Sequence, residues 1–134
     1  MIEKKFISYE PKTKNRFVVE FPTECNIQEF TVKTITNPKY INGEWQDIHI
    51  TFCDPLAAST TLGLYKLIEY VRTNNQRFTI KIKSLDPTGV NVETWLIIGG
   101  DTFTIDFGNL DYSSDEVQII KMSLTPIHCR IESK

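Results

Sequence analysis

Four small groups of residues in this chain carry the types that catalysis or metal binding needs. His49 and Cys53 lie four positions apart on one alternating segment. On a strand that spacing separates them by roughly 13 Å, too far to share one metal ion. His128 and Cys129 are adjacent, so a strand would point them to opposite faces. Gly99-Gly100 follows an apolar alternating run, but no helix pattern opens behind it, so neither a dinucleotide loop nor a phosphate loop is supported. Ser113-Ser114 sits in a turn beside Asp115 with no histidine nearby in sequence and no Gly-x-Ser-x-Gly elbow. Two carboxylates could meet as an acid–base pair in three dimensions, yet nothing in the spacing selects a pair. The residues point to a non-enzyme, without a cofactor or a metal.

The elements that would position such groups are mostly strands. Phe17, Val19 and Phe21 alternate with Val18 and Glu20, and Pro22-Thr23-Glu24 ends that run. A longer strand is expected from Ile27 to Thr36, with Phe30, Val32 and Thr34 on one face. Asn37 to Gly43 reads as a loop, with Asn42-Gly43 as its turn signal. In Asp47-Ile48-His49-Ile50-Thr51-Phe52, the apolar residues share one face as a half-buried strand requires. Asp54-Pro55 then hands over to a helix expected near 55–73, with Asp54 as N-cap and Pro55 in the first turn. Ala57, Leu64, Leu67, Ile68 and Val71 recur at helical spacing. Gly63 is the misfit, and its poor helix propensity implies a close approach of another element. Further strands follow at Phe78–Lys83, Val92–Ile98 and Phe103–Phe107. The last runs from Val117 to Pro126 with apolar residues on both faces, which implies a central strand or a subunit interface. The fold class is therefore mainly β (α+β), a barrel or sandwich of about seven strands with one flanking helix.

Length and composition bound the rest. The 134 residues suit one domain able to bury its own core, with residues 1–15 as an N-terminal arm and 16–134 as the domain. Three cysteines, an odd number and widely spaced, argue against a disulfide framework and for a reducing compartment. The longest apolar run is too short to span a bilayer, and neither an export signal nor a membrane anchor is expected.

Net charge is near neutral, at -2, but its distribution is uneven. Lys4, Lys5, Lys12, Lys14 and Arg16 crowd the start of the chain. No lysine or arginine lies between Lys83 and Lys121, where Asp86, Glu93, Asp101, Asp106, Asp111, Asp115 and Glu116 all fall. A basic arm facing an acidic neighbour is a device for ordered self-association. It is a poor nucleic-acid groove, because the cations sit in one short arm.

The order of elements resembles the tail tube proteins of contractile-tailed bacteriophages, a family that extends to contractile injection systems and type VI secretion. The resemblance covers residues 16–132. It rests on Trp45, on Ile50-Thr51-Phe52-Cys53-Asp54-Pro55, on Glu93-Thr94-Trp95-Leu96-Ile97-Ile98-Gly99-Gly100 and on Ile105-Asp106-Phe107-Gly108-Asn109-Leu110-Asp111-Tyr112. It implies a structural virion protein, assembled in the host bacterial cytoplasm, whose copies close into hexameric rings that stack into a hollow tube. Tail sheath and baseplate proteins are the implied partners, and genome DNA passes through the lumen without specific binding. The loop from Pro38 to Glu44 corresponds to the ring-stacking element, with Tyr40, Ile41 and Trp45 as its anchors, and Lys4 and Lys5 are further interface candidates. The seven carboxylates from Asp86 to Glu116 are candidates to line the lumen. The loop is short for the family, which leaves a baseplate-proximal tube initiator or a capping protein as the alternative. A monomeric binding module of the same β class is a third reading.

Overall fold

The computed structural model describes residues 11–56, 59–74 and 77–133. Two four-stranded antiparallel sheets and one small hairpin enclose a single core. The strands are β1 (Phe17–Glu20), β2 (Val32–Ile35), β3 (Tyr40–Ile41), β4 (Glu44–Trp45), β5 (Ile48–Cys53), β6 (Phe78–Leu85), β7 (Asn91–Gly99), β8 (Phe103–Asp106), β9 (Ile119–Leu124) and β10 (His128–Ser133). Helix α1 spans Thr60–Asn74. The first sheet runs β1-β6-β7-β10 and the second β2-β5-β9-β8, with β3-β4 paired separately.

Alternation places the core. In the first sheet Val19 pairs with Ile82, Ile80 with Ile97 and Ile97 with Cys129, and all five side chains are buried. In the second, Ile48, Ile50 and Phe52 face inward opposite Leu124, Met122 and Ile120. Phe21 tilts against Phe52 at 5.6 Å between ring centres, and Phe78 meets Phe103 edge-on at 5.8 Å. These ring contacts stitch the two sheets together. Leu64, Leu67 and Val71 of α1 join the same cluster, so the helix closes the core rather than riding on it.

The hand-over at Asp54 works as a cap, but over a longer reach than Pro55 suggests. The helix begins at Thr60, and the Asp54 carboxylate bridges the intervening residues. It accepts the Thr60 N–H at 2.8 Å, the Thr61 N–H at 3.3 Å and the Thr61 hydroxyl at 2.6 Å. Burial acts to raise the Asp54 carboxyl, but the bonds from Thr61, Thr60 and Ser59 outweigh it and hold it below its usual range. Ala57, expected on the helical stripe, lies outside the described residues. Gly63 does what its spacing implied: a Cβ there would stand 2.6 Å from Ile27 Cγ1 and 2.9 Å from the Cys25 carbonyl oxygen.

Several strand boundaries differ from the alternation, and β3 lies within the Asn37 to Gly43 run expected as a loop. The run from Ile27 breaks at Glu29–Thr31 into a 3-10 turn, with the Thr31 hydroxyl on the Gln28 carbonyl at 2.6 Å. Thr31 is therefore buried, while Phe30 is turned outward at 68% exposure. The last predicted strand starts at Ile119 rather than Val117 and ends at Leu124 rather than Pro126. The apolar residues of its second face, Val117 and Ile119, remain exposed. Finally, β10 adds an edge that the alternation did not identify.

Candidate assembly surfaces

The hairpin β3-β4 is built by its turn. Asn42 and Gly43 both take left-handed φ values, 51° and 83°, the geometry of a two-residue primed turn that matches strand twist. Tyr40 pairs with Trp45 across it, their rings 4.9 Å apart. Trp45 in turn meets Trp95 of β7 edge-on at 6.0 Å. This aromatic row runs from the hairpin into the first sheet, although the hairpin connects two strands of the second. The Gln46 N–H closes its base on the Lys39 carbonyl at 2.9 Å. Trp45 is half-buried against the core, whereas Tyr40 and Ile41 are exposed at 62% and 51%. Thus Trp45 anchors the hairpin, and Tyr40 and Ile41 form its free surface. Lys4 and Lys5, the other interface candidates, lie outside the described residues.

The seven acidic candidates fall into separate places. Asp86 sits in the β6–β7 turn, where its carboxylate accepts the Thr88 hydroxyl at 2.7 Å and the N–H groups of Thr88 and Val90 at 2.8 and 2.9 Å. The Thr88 hydroxyl, followed by the backbone donors, holds its carboxyl below the usual range. Glu93, on β7, receives the ammonium of Lys12. Asp101 is exposed just beyond the end of β7. Asp106 ends β8 in register with Lys121. Asp111, Asp115 and Glu116 lie together in the exposed connection between β8 and β9. The Asp111 carboxyl is lowered by the backbone N–H of Ser113 and then by its hydroxyl. Four of the candidates, from Asp106 to Glu116, thus share one end strand and its loop, while Asp86 and Glu93 belong to the other sheet.

The two sheets present different outer faces. On the first, register brings together Val18 and Glu20, Thr79, Lys81 and Lys83, Thr94, Leu96 and Ile98, and His128, Arg130 and Glu132. Lys83 bonds Glu20 at 2.7 Å. Leu96 is buried there without joining the core cluster, between Lys81 and Arg130 in register, whose aliphatic stems are long enough to lie over it. The second outer face carries Thr34, His49, Thr51, Cys53, Ser123, Thr104 and the Asp106–Lys121 pair. Alternation alone marks the polar face of β5 (His49, Thr51) and of β6 (Thr79, Lys81, Lys83); the neighbours that complete each outer face come from strands distant in sequence.

Among the described residues, each sheet also leaves two strands unpaired on one side: β1 and β10 in the first, β2 and β8 in the second. A shallow groove of about 560 Å³ opens past the end of β1, lined by Phe21, Pro22, Ile27 and Phe30 with Glu20 and Glu29 at its rim. His49 and Cys53 both face outward from β5, and among the described residues no three His, Cys, Asp or Glu side chains gather to hold a metal ion. Burial raises the thiols of Cys25 and Cys129 to about 11, so both stay protonated. No described helix is long and apolar enough to cross a membrane.

Solved structures share this fold. A chain of the sheath–tube complex of an extracellular contractile injection system, in the extended state, matches with a TM-score of 0.69 and 13% identity, over 98% of this chain and 97% of that one. A chain of the anti-feeding prophage baseplate matches at 0.56 and 18% identity, over 92% and 97%. A chain of the same particle's tube-terminating cap matches at 0.59 and 14% identity, over 93% of each. No family model and no curated protein matches the sequence. At such identities the likeness is one of fold, and it extends over nearly the full length of both partners in each comparison.

Proposed function

We propose that this chain is a structural, non-enzymatic subunit of a contractile tail or tail-like injection particle. Its copies join into hexameric rings that stack to form the tube of a virion tail. The observation that carries this reading is the pair of sheets with four edge strands that have no partner on one side among the described residues. Open edges are a liability in a lone domain, and closing a ring covers them with backbone hydrogen bonds. The full-length fold match to a chain of a sheath–tube complex supports the same reading.

Within it, Tyr40 and Ile41 contact the next ring, held in place by Trp45. Carboxylates of the Asp86–Glu116 segment other than Asp115 and Glu116 line part of the lumen, where negative charge would repel DNA phosphates and let the genome slide. Sheath and baseplate proteins are the remaining partners. A second reading, a baseplate-proximal initiator or cap that forms only one or two rings, is favoured by the matches to baseplate and cap chains. Negative-stain microscopy of the purified protein separates the possibilities. Long tubes support the tube subunit, isolated or paired rings support the initiator or cap, and a monodisperse monomer at high concentration overturns both.

A further inference from the structure

Residues 107–118, between β8 and β9, form a loop with no strand or helix of its own but a defined internal frame. The Gln118 side chain donates to the Phe107 carbonyl at 3.0 Å and clamps the base. The Gly108 N–H donates to the Asp106 carboxylate at 2.9 Å. Further along, Asp111 accepts the Ser113 N–H at 3.0 Å and its hydroxyl at 2.8 Å, and the Glu116 N–H donates to the Ser114 hydroxyl at 3.2 Å. This frame holds Leu110, Tyr112 and Val117 out into solvent, at 87%, 112% and 70% exposure. Beside them stand the exposed carboxylates of Asp115 and Glu116. Neither ion pair among the described residues, Lys12–Glu93 or Lys83–Glu20, involves this loop.

Apolar side chains held outward and flanked by acids with no ion-pair partner among the described residues describe a docking surface for a segment of the opposite pattern, cations next to apolar residues. Among the described residues the exposed runs of this kind, Lys39-Tyr40-Ile41, Tyr65-Lys66 and Arg130-Ile131, each offer a single cation, and the first has Glu44 across the hairpin. Lys4-Lys5-Phe6-Ile7 in the sequence has two adjacent cations to match two adjacent acids. Ten residues precede Pro11, and an extended segment of that length spans about 33 Å. Lys12, paired with Glu93, brings the chain just after that segment beside β7.

We propose that residues 1–10 of one copy dock on the 107–118 loop of an adjacent copy. Lys4 and Lys5 meet Asp115 and Glu116, and Phe6 and Ile7 cover Leu110 and Tyr112. The proposal rests on the reading that the chain assembles with itself, and it names the surface that the arm takes.

Mixing unlabelled with isotope-labelled chains, assembling them and cross-linking amines to carboxylates would test it by mass spectrometry. Hybrid-isotope peptides joining Lys4 or Lys5 to Asp115 or Glu116 are expected. The Asp115→Lys/Glu116→Lys variant should need about three- to tenfold more protein to assemble, as for two exposed ion pairs, and adding Lys4→Glu/Lys5→Glu should restore it. All four positions are solvent-facing or terminal, and an unchanged unfolding midpoint confirms that the variants fold. Rings that yield only same-copy peptides, peptides joined instead to Lys39, or no peptides overturn the arm contact and leave assembly standing. Failure of the unmodified chain to form rings overturns both.

Discussion

The hairpin β3-β4 and the 107–118 loop both expose aromatic side chains, yet they are held by different physics. The hairpin is fixed through its side chains, because the Tyr40–Trp45–Trp95 row ties it to the core of the opposite sheet. Beyond Phe107, which packs against the core, the loop is fixed through its own polar groups, Asp106, Asp111, Ser114 and Gln118, and its Leu110, Tyr112 and Val117 are exposed. A surface braced by packing keeps its shape, as a stack of rings requires. A surface braced by local hydrogen bonds can carry charge and adjust to a partner. The comparison teaches that exposure alone does not define an interface; what stands behind the exposed residue decides what kind it can be.

Truncating the anchor should break the hairpin side of this contrast most strongly. Trp45→Ala is expected to lower unfolding stability by about 2–3 kcal/mol in denaturant titrations, since the residue is half-buried. Tyr112→Ala should cost less than about 0.5 kcal/mol, because that side chain is fully exposed. Equal losses would erase the distinction.

The two turn glycines sharpen it. Gly43 and Gly108 both have left-handed φ, 83° and 87°. A Cβ at Gly43 meets nothing within 4 Å, whereas one at Gly108 would stand 3.0 Å from the Ile119 carbonyl oxygen. Alanine at either site should cost about 1–2 kcal/mol from backbone strain, with Gly108→Ala the larger of the two. Thermal unfolding of the two variants side by side checks the order.

Acid should loosen one region and spare the other. The Asp111 carboxyl is held below its ordinary value of 3.8, so its contribution is present above that value and lost as pH falls through the lower folded value. The Asn42-Gly43 turn contains no titrating group. Amide exchange in residues 107–118 should therefore rise below about pH 4, relative to the hairpin, as the ordinary carboxylate range is crossed. Parallel exchange in both segments would remove the proposed difference in bracing.

Much of the framework was legible because it depends on local rules. Strand β5 follows from the alternation of Ile48, Ile50 and Phe52, the turn at Asn42-Gly43 from its residue pair, and the close approach to α1 from Gly63, whereas β3 lies inside a run that reads as loop. Strand β10 was not, because His128-Cys129-Arg130-Ile131 owes its conformation to pairing with β7, a contact distant in sequence. The break at Glu29–Thr31 was hidden for a related reason: a threonine that looks like a strand residue bonds its own turn instead. Of the surfaces, the part given to Tyr40, Ile41 and Trp45 is what the family resemblance implies; the structure shows Tyr40 and Ile41 exposed and Trp45 packed against the core. The outward placement of Leu110, Tyr112 and Val117 was not legible, since an apolar residue in sequence gives no sign that nothing will cover it.

Cryo-EM of the purified chain under assembling conditions tests the central claim most directly. The account predicts six-fold rings whose walls continue from subunit to subunit through the edge strands, with Tyr40 and Ile41 at the ring-to-ring contact. Particles that remain single domains at high concentration, or rings whose edge strands stay open to solvent, would contradict it.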